Sequence, residues 1–257
     1  MTVKNSGPGT VRLISLNVAG GMLLDKLEQF IMEERGRTDV FCFQEVVARK
    51  PRFPGRIKFD ERTYEVLKSA LNGFSCHSTT PYTVNDQFLT MFLRDGIKMA
   101  RAGSVVLVKP RSKGVRSWAK MQYAEMLVGG GRAVVAHLHG LFVPHEDQRL
   151  HYSDTPERMR QSRNVIAALD RLRRPAVLCG DFNLKGNTRS IAMIEGRMLN
   201  ITKERGIRTT RNSFALPGSY RLTDYAFASP GVVVSEFSVI SENVSDHLPL
   251  RLAFSLT

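Results

Sequence analysis

The chain opens with an apolar segment, a helical pattern and a second apolar segment. Residues 11–17 (VRLISLN) are apolar and rich in β-forming side chains, and Gly20-Gly21 interrupts the run. Between residues 22 and 35 apolar side chains recur every three or four positions, which predicts a helix. Residues 39–44 (DVFCFQ) form the second apolar run. Two nearly continuous apolar strands separated by a helix predict a βαβ unit.

The later apolar segments are short and predict further strands together with two more helices. The strands are predicted over residues 88–93, 103–108, 121–128, 132–139, 176–179, 222–228, 232–239 and 248–254. Glycine-rich turns, clearest at residues 129–131, predict antiparallel hairpins. One helix is predicted over residues 61–71. Another opens at Asp154, where Glu157 completes a capping box and Pro156 fits the first turn.

These elements predict one α/β domain that spans residues 11–257. The simplest packing places two mixed β-sheets face to face with helices outside, as a four-layer α/β/β/α sandwich. The sequence shows no internal repeat of fixed period and no interdomain linker. Residues 1–10 are predicted to be a flexible N-terminus.

Basic residues are concentrated in two segments of the chain. The formal net charge is +13, from 37 lysines and arginines against 24 acidic residues. Residues 46–60 hold five basic residues and one acid, and residues 109–120 hold five basic residues and no acid. Clustered positive charge predicts a polyanionic partner, here nucleic acid. The alternative is a pair of solvated loops that serve solubility.

The cysteine content and the absence of long apolar runs bear on the compartment. The cysteines are Cys42, Cys76 and Cys179, an odd number without the spacing of a disulfide framework or a zinc site. The N-terminal residues contain no signal-like apolar stretch, and no run approaches the roughly 18 residues that span a bilayer. We therefore expect no transmembrane segment and a cytoplasmic protein.

Polar side chains that can bind metal or move protons follow many of the apolar runs. They are Asn17, Glu45, His137, His139, Asp181, Asn183, Asp224, Asp246 and His247. Each alone has an ordinary structural explanation, but the ends of strands and the loops beyond them favour functional groups. Carboxylates and amides without cysteine favour Mg²⁺, with Mn²⁺ as a substitute, over zinc. Such a site suits hydrolysis of a phosphate ester.

Six short motifs occur in an order that resembles a known superfamily. They are LISLN, FQEV, HLHG, GDFN, LTDYAF and SDHLPL. Together they are similar to the endonuclease/exonuclease/phosphatase superfamily, which has the deoxyribonuclease-I-like fold. The resemblance extends from Asn17 to His247, nearly the whole chain, and is specific for the superfamily but not for a substrate.

The resemblance implies a role for each site residue. Glu45 would be the main Mg²⁺ ligand, with Asn17 beside it and Asp246 completing the metal environment. Asp181 would position or activate water, and Asn183 would hold a phosphate oxygen. The remaining pair would act together: His247 would contact phosphate or accept a proton, oriented by Asp224. The reaction implied is in-line attack of water on phosphorus, without a covalent intermediate.

One motif departs from the pattern of the superfamily. The usual Asn-Thr-His-Leu is replaced by His137-Leu138-His139-Gly140, so that His139 falls on the histidine position. Residues two apart in a strand share a face, and His137 could therefore also contact the substrate. Trp118, in the second basic segment, could stack on a base or anchor its loop. Arg211 could reach phosphate or lie on the surface.

Three functions remain open from the sequence. The first is a nuclease or phosphodiesterase acting on nucleic acid, favoured by the positive charge. The second is a lipid or inositol phosphate hydrolase (sphingomyelinase-like) of the same fold, since a basic face also binds anionic headgroups. The third is a catalytically inactive nucleic-acid-binding module, against which the intact set of carboxylates and histidines argues.

Overall fold

The computed structural model describes residues 9–50, 59–109, 118–142 and 151–257. Most of the predicted flexible N-terminus and the centres of both basic segments therefore lie outside the described residues. The helices are α1 Leu24–Glu34, α2 Thr63–Ala70, α3 Pro156–Leu172, α4 Arg189–Glu195 and α5 Ile201–Glu204. None of the described helices is long and apolar enough to cross a membrane.

Two mixed six-stranded sheets form the body of the molecule. The first has the order β11-β12-β1-β2-β4-β3, with β1 Val11–Asn17, β2 Val40–Val46, β3 Phe74–Ser78, β4 Phe88–Arg94, β11 Val232–Val239 and β12 Leu250–Leu256. The second has the order β5-β6-β7-β8-β10-β9, with β5 Met99–Val108, β6 Ala119–Val128, β7 Gly131–His139, β8 Ala176–Asp181, β9 Leu199–Asn200 and β10 Asp224–Ala228. The neighbours β1 and β2 are parallel, as are β7 and β8.

Apolar side chains on both faces of the central strands produce the four layers. In β1, Leu13 packs in the core between the two sheets, whereas Ile14 packs with Leu27 and Phe30 of α1. A third cluster lies between the outer face of the second sheet and α3 and α4. This double burial explains why the central strands read as nearly continuous apolar runs. The predicted four-layer α/β/β/α sandwich is confirmed.

The structure differs from the sequence expectations mainly at the edges. Edge strand β3 was not predicted, because its residues are at most half-buried and show no apolar period. The first turn of α3 also differs, since Thr155 rather than Asp154 caps it, accepting the Arg158 N–H at 3.2 Å. The Asp154 carboxylate instead accepts the N–H groups of Arg189 and Ser190 at the start of α4.

Candidate active site

The parallel strand pairs end at one edge of the sandwich, and the predicted polar residues meet there. Asn17 ends β1 and Glu45 lies near the end of β2. In the second sheet Asp181 pairs with His139 on one side and with Asp224 on the other. All five side chains are buried or nearly so, and Glu45, His139 and Asp181 line a cleft.

Glu45 is held in an unusual backbone conformation. Its φ of 58° lies in the left-handed region, at an irregularity in the pairing of β2 with β4. Asn17 Nδ2 donates to Glu45 Oε1 at 3.0 Å, and Gln87 Nε2 donates to Glu45 Oε2 at 2.7 Å. Burial alone would raise the pKa of this carboxyl, but His139 and Asn17 outweigh burial and lower the pKa to about 2. Glu45 is therefore an ionised carboxylate fixed by its neighbours.

Asp181 and Asn183 depend on a close approach of two backbones. Gly180 has a φ of 123°, and a Cβ there would overlap the carbonyl oxygen of Leu138 in the adjacent strand. Beyond it, the Asn183 N–H donates to Asp181 Oδ1 at 2.9 Å. The Asn183 Nδ2 donates to the Gly140 carbonyl at 3.1 Å and lies 3.3 Å from His139 Nε2. The turn thus fixes both side chains against the end of β7.

His139 lies between two carboxylates. Its Nε2 is 3.0 Å from Glu45 Oε1 and 3.8 Å from Asp181 Oδ2. Burial would lower the pKa of His139, but the hydrogen bond and charge of Glu45, with the charge of Asp181, raise it. His139 Nδ1 is buried and has no hydrogen-bond partner among the described residues. The structure therefore places His139 in the cleft, as the sequence predicted.

His247 and Asp224 form a buried pair. The His247 Nδ1 is 2.9 Å from both Asp224 carboxylate oxygens, and Thr210 Oγ1 donates to Asp224 Oδ2 at 2.6 Å. His247 Nε2 points toward Asp181 Oδ2, 3.6 Å away. Burial and the Arg211 charge disfavour protonation of His247, but Asp224, Asp246 and Asp181 raise its pKa to about 9. Asp224 therefore orients the His247 imidazole, and the surrounding carboxylates favour its protonated form.

Asp246 has a cationic partner that its sequence position did not reveal. Arg211 Nη1 donates to Asp246 Oδ2 at 2.7 Å, and Arg211 Nη2 lies 3.9 Å from Asp181 Oδ2. The Arg211 side chain is only 10% exposed. Arg211 therefore lines the cleft, and it is not the surface arginine that the sequence left open. Asp246, expected in the metal environment, lies in the cleft and forms this ion pair with Arg211.

His137 occupies a different position from the one considered in the sequence. Gln44 Nε2 lies 3.0 Å from His137 Nδ1, and Gln122 Oε1 lies 2.8 Å from His137 Nε2. Both ring nitrogens are therefore satisfied between the two sheets, and the residue is fully buried away from the cleft. The structure gives no support to substrate binding by His137, and its role is to link the sheets.

This setting predicts a pH-dependent contribution of His137 to stability. Burial lowers the pKa of His137 to about 3, and a proton on Nδ1 would face the Gln44 amide donor. The unfolded chain binds this proton with a pKa near 6.5. The contribution of neutral His137 to the free energy of unfolding is therefore complete above about pH 6.5 and is lost as the pH falls toward 3. Each pH unit below 6.5 lowers the free energy of unfolding by about 1.4 kcal/mol, which gives a total loss of about 2 kcal/mol at pH 5.

Urea denaturation at pH 7 and pH 5 would measure this effect. We expect His137→Gln to lose less stability between the two pH values than the wild type, by about 2 kcal/mol. His77→Gln, in edge strand β3, serves as the control and should behave as the wild type does. An equal loss of stability in His137→Gln and the wild type would show that the imidazole is already protonated in the fold.

Trp118 is partly exposed to solvent, with 39% of its surface accessible. Its backbone N–H donates to the Tyr82 carbonyl at 2.9 Å. Lys109 Nζ lies 4.6 Å from the centre of the indole ring. Tyr82 in turn lies against His139, with ring centres 5.4 Å apart. Trp118 is thus connected to His139 through Tyr82, and Lys109 lies over one face of its indole ring.

Several charges of the two basic segments have partners within the protein. Arg49 forms an ion pair with Asp86 at 3.2 Å. Lys120 is buried, and its ammonium donates to the carbonyl and hydroxyl oxygens of Thr80 at 2.8 and 2.6 Å. Residues 51–58 and 110–117, which carry most of the remaining charge, lie outside the described residues.

The cleft itself has a volume of about 280 Å³. Its polar floor is lined by Glu45, His139, Asp181, Asn183, Arg211, Asp246 and His247. Its walls add residues that the sequence did not single out, namely Ala19, Thr83, Val84, Asn85, Gln87, Phe142, Tyr152, Leu216 and Ser219. Apart from the position of Gln87 directly before an apolar run, no pattern in the sequence marks these wall residues.

The donors at the Glu45 end of the cleft fit a divalent cation. Glu45 Oε1 and Asp181 Oδ2 approach the same amide, lying 3.0 and 3.2 Å from Asn17 Nδ2. Two buried carboxylates this close repel each other unless a cation compensates. Their oxygen donors match the preference of Mg²⁺ and Mn²⁺. Asp181, Asp224 and His247 form another group, whose potential ligand atoms lie within 4.8 Å of one another.

Comparison with known proteins gives the family and the fold. A family model described as "Endonuclease/Exonuclease/phosphatase family" matches residues 14–247. No curated protein matches the chain significantly in sequence. An endonuclease/exonuclease/phosphatase family protein from Bacteroides thetaiotaomicron has a similar structure, with a TM-score of 0.73, 17% identity and coverage of 97% of this chain and 99% of that chain.

Two further solved structures show the same architecture. A mannosyl-6-phosphatase of B. thetaiotaomicron VPI-5482 has a TM-score of 0.73 at 16% identity, covering 96% of this chain and 100% of that one. D. rerio TDP2, complexed with a single-strand DNA product, has a TM-score of 0.71 at 15% identity, covering 96% and 99%. At these identities the likeness concerns the fold. With the family match over residues 14–247, the chain belongs to the endonuclease/exonuclease/phosphatase family, whose members are phosphoesterase hydrolases that generally use divalent metals.

Proposed function

We propose that the protein is a Mg²⁺-dependent phosphodiesterase that hydrolyses nucleic acid by in-line attack of water. The observation that carries this proposal is the meeting of Glu45, Asp181 and His247 in one buried cleft, although they are far apart in sequence. Buried carboxylates are costly unless they bind a cation or hydrogen-bond donors, and a phosphate needs positive charge around it. The cleft offers both.

In this proposal the metal binds at the Glu45 end of the cleft and the phosphate binds at the His247 end. Glu45, with Asn17 beside it, would hold Mg²⁺, which when bound would stabilise negative charge on the phosphoryl oxygens. Asn17 Nδ2 bridges Glu45 and Asp181 and thereby sets the distance between the two ends.

The second end of the cleft would orient water and stabilise the developing charge. Asp181 is the proposed group that positions the attacking water, because its carboxylate is fixed by donors on two sides. Protonated His247, aligned by Asp224, would donate to a phosphoryl oxygen. His139, which lies against Glu45 at the other end of the cleft, and Asn183 would hold other phosphoryl oxygens, and Arg211 would add a positive charge beside Asp181.

Nucleic acid is the proposed substrate on the basis of charge and of Trp118. The net charge of +13 favours a polyanion, and the exposed indole of Trp118 can stack on an unpaired base. The similar fold of D. rerio TDP2 has been solved with a single-strand DNA product. A lipid or inositol phosphate hydrolase of the same fold is the alternative that the experiment must separate.

A substrate panel with Mg²⁺, Mn²⁺ and EDTA tests the proposal. Plasmid, single-stranded DNA, RNA, sphingomyelin vesicles and inositol phosphates would be assayed in parallel with the wild type. We expect EDTA-sensitive cleavage of nucleic acid without release of phosphocholine or inorganic phosphate. Headgroup release without cleavage of nucleic acid would favour the lipid hydrolase. Salt-sensitive DNA binding without turnover would favour an inactive binding module.

The metal assignment makes its own prediction. Glu45→Gln keeps the shape of the side chain and the contact with Gln87 but removes the negative charge. We expect the Mg²⁺ concentration for half-maximal activity to rise by about 10- to 100-fold or more, as for loss of a metal-binding contact. Glu65→Gln, whose side chain is 70% exposed on α2, is the matched control and should leave the activation curve unchanged. An unaltered Mg²⁺ requirement in Glu45→Gln would move the metal away from this end of the cleft.

A further inference from the structure

Arg211 lies inside the site, in a position usually left to solvent or ligand. Its backbone forms an isolated antiparallel bridge with His247, which brings the loop before β10 against the loop before β12. The guanidinium donates to Asp246 at 2.7 Å, and its Nη2 lies 3.5 Å from Thr223 Oγ1. Its Nε is buried without a hydrogen-bond partner among the described residues. These contacts hold the Arg211 side chain in place, so that its charged group stays in the cleft and does not turn toward solvent.

The charges of the cleft divide into two unequal halves. At one end Glu45 faces Asp181 with only the Asn17 amide and the His139 imidazole between them. At the other end Asp246 already has the Arg211 guanidinium, and Asp224 has the His247 imidazole. Asp181 stands between the halves, 3.9 Å from Arg211 Nη2. Among the described residues, the donors at the Glu45 end are one imidazole and the amides of Asn17 and Gln87, whereas the Asp246 end has the permanent charge of a guanidinium.

A divalent cation bound by Asp246 and Asp181 would lie close to the guanidinium. Mg²⁺ requires oxygens at about 2.0–2.1 Å. Such an ion on Asp246 Oδ2, the oxygen that Arg211 contacts at 2.7 Å, would meet a fixed positive charge within a few ångströms. In the group of Asp181, Asp224 and His247, both Asp224 oxygens already lie 2.9 Å from His247 Nδ1, so the imidazole occupies this carboxylate.

We propose that Arg211 is a built-in counter-ion that takes the place of a second divalent cation, so that the cleft binds a single metal ion at its Glu45 end. This inference rests on the proposed metal-dependent function and deepens it. It gives Asp246 a new role, since Asp246 holds Arg211 in place and does not ligate the metal.

Mn²⁺ binding, measured by isothermal titration and by electron paramagnetic resonance, tests the inference without reference to turnover. We expect one Mn²⁺ per wild-type chain. Arg211→Met removes the charge but keeps much of the side-chain volume, and we expect a second Mn²⁺ to bind, with the spin–spin coupling of a close metal pair. Arg211→Lys should still bind one. Arg208→Met, at an exposed arginine three residues away, is the matched control and should also bind one.

The outcomes separate this inference from the proposed function. Two Mn²⁺ ions in the wild type would overturn the role of Arg211 while leaving metal-dependent hydrolysis intact. A single ion of unchanged affinity in Arg211→Met would overturn it as well. Absence of Mn²⁺ binding in the wild type would refute the proposed function itself. Where Arg211→Met fails to fold, Arg211→Gln, which is also uncharged but can still donate to Asp246, makes the same test.

Discussion

Replacing Asp181 by asparagine is expected to lower kcat by at least about 10³-fold, because it removes a charge that faces His247 and is proposed to orient the attacking water. The carboxylate is 99% buried, and its Oδ2 lies within 4 Å of Asn17, His139, His247 and Arg211. An amide of the same shape can accept the Asn183 N–H but cannot reproduce this set of charge contacts. Single-turnover cleavage of a labelled oligonucleotide with saturating Mg²⁺ would measure the loss.

The same substitution should leave the fold intact. The thermal midpoint and circular dichroism of Asp181→Asn should resemble those of the wild type, since relieving repulsion with Glu45 offsets part of what is lost. Asp170→Asn, at a carboxylate of α3 whose side chain is 54% exposed, is the matched control and should retain full activity. Hydrolysis near the wild-type rate by a pure Asp181→Asn preparation would refute the assignment of the site.

Replacing His247 by glutamine is expected to have the second largest effect, a fall in kcat of about 10²- to 10⁴-fold. Glutamine can still donate a hydrogen bond, but it cannot carry the positive charge that Asp224 and Asp246 sustain on the imidazole. The measurement is kcat with saturating substrate and Mg²⁺, so that weaker binding does not contribute. His77→Gln, in edge strand β3 outside the cleft, is the control and should keep the wild-type kcat.

A double substitution tests whether Asp224 acts through His247. Asp224→Asn should lower kcat less than His247→Gln, because it misorients the imidazole without removing it. When both are changed, the loss should be no larger than for His247→Gln alone, since the two residues work as a unit. Losses that multiply in the double variant would show that Asp224 has a separate role in the reaction.

The apolar pattern alone was sufficient to predict much of the fold. The central strands are apolar on both faces because one face packs between the sheets and the other under helices, as Leu13 and Ile14 show. The edge strand β3 and the N-terminal cap of α3 were harder to predict. Strand β3 has no buried face to impose an apolar period, and the cap of α3 moved to Thr155 because Asp154 is used by a different helix. Local signals therefore failed where a distant contact decided the outcome.

The sequence was sufficient to predict which residues belong to the candidate site, but not how their side chains are arranged. Asn17, Asp181 and His139 follow apolar runs, and the ends of parallel strands lie at one edge of a sheet. Strand periodicity alone could not choose between the two histidines, because residues two apart share a face of the strand, and only the resemblance to the family motif favoured His139. Gln44, from the opposite sheet, covers His137 and leaves His139 at the open end.

The sequence by itself determined the kinds of groups present and the elements that carry them, because alternation of apolar and polar residues and the polar ends of strands are properties of the chain. Only the tertiary structure decided which charges compensate one another. Arg211 and Asp246 are 35 positions apart, and nothing in either segment specifies that they meet at 2.7 Å. That pairing depends on the contact between the loop before β10 and the loop before β12. The electrostatic energy of the pair depends on distance and burial and not on sequence position.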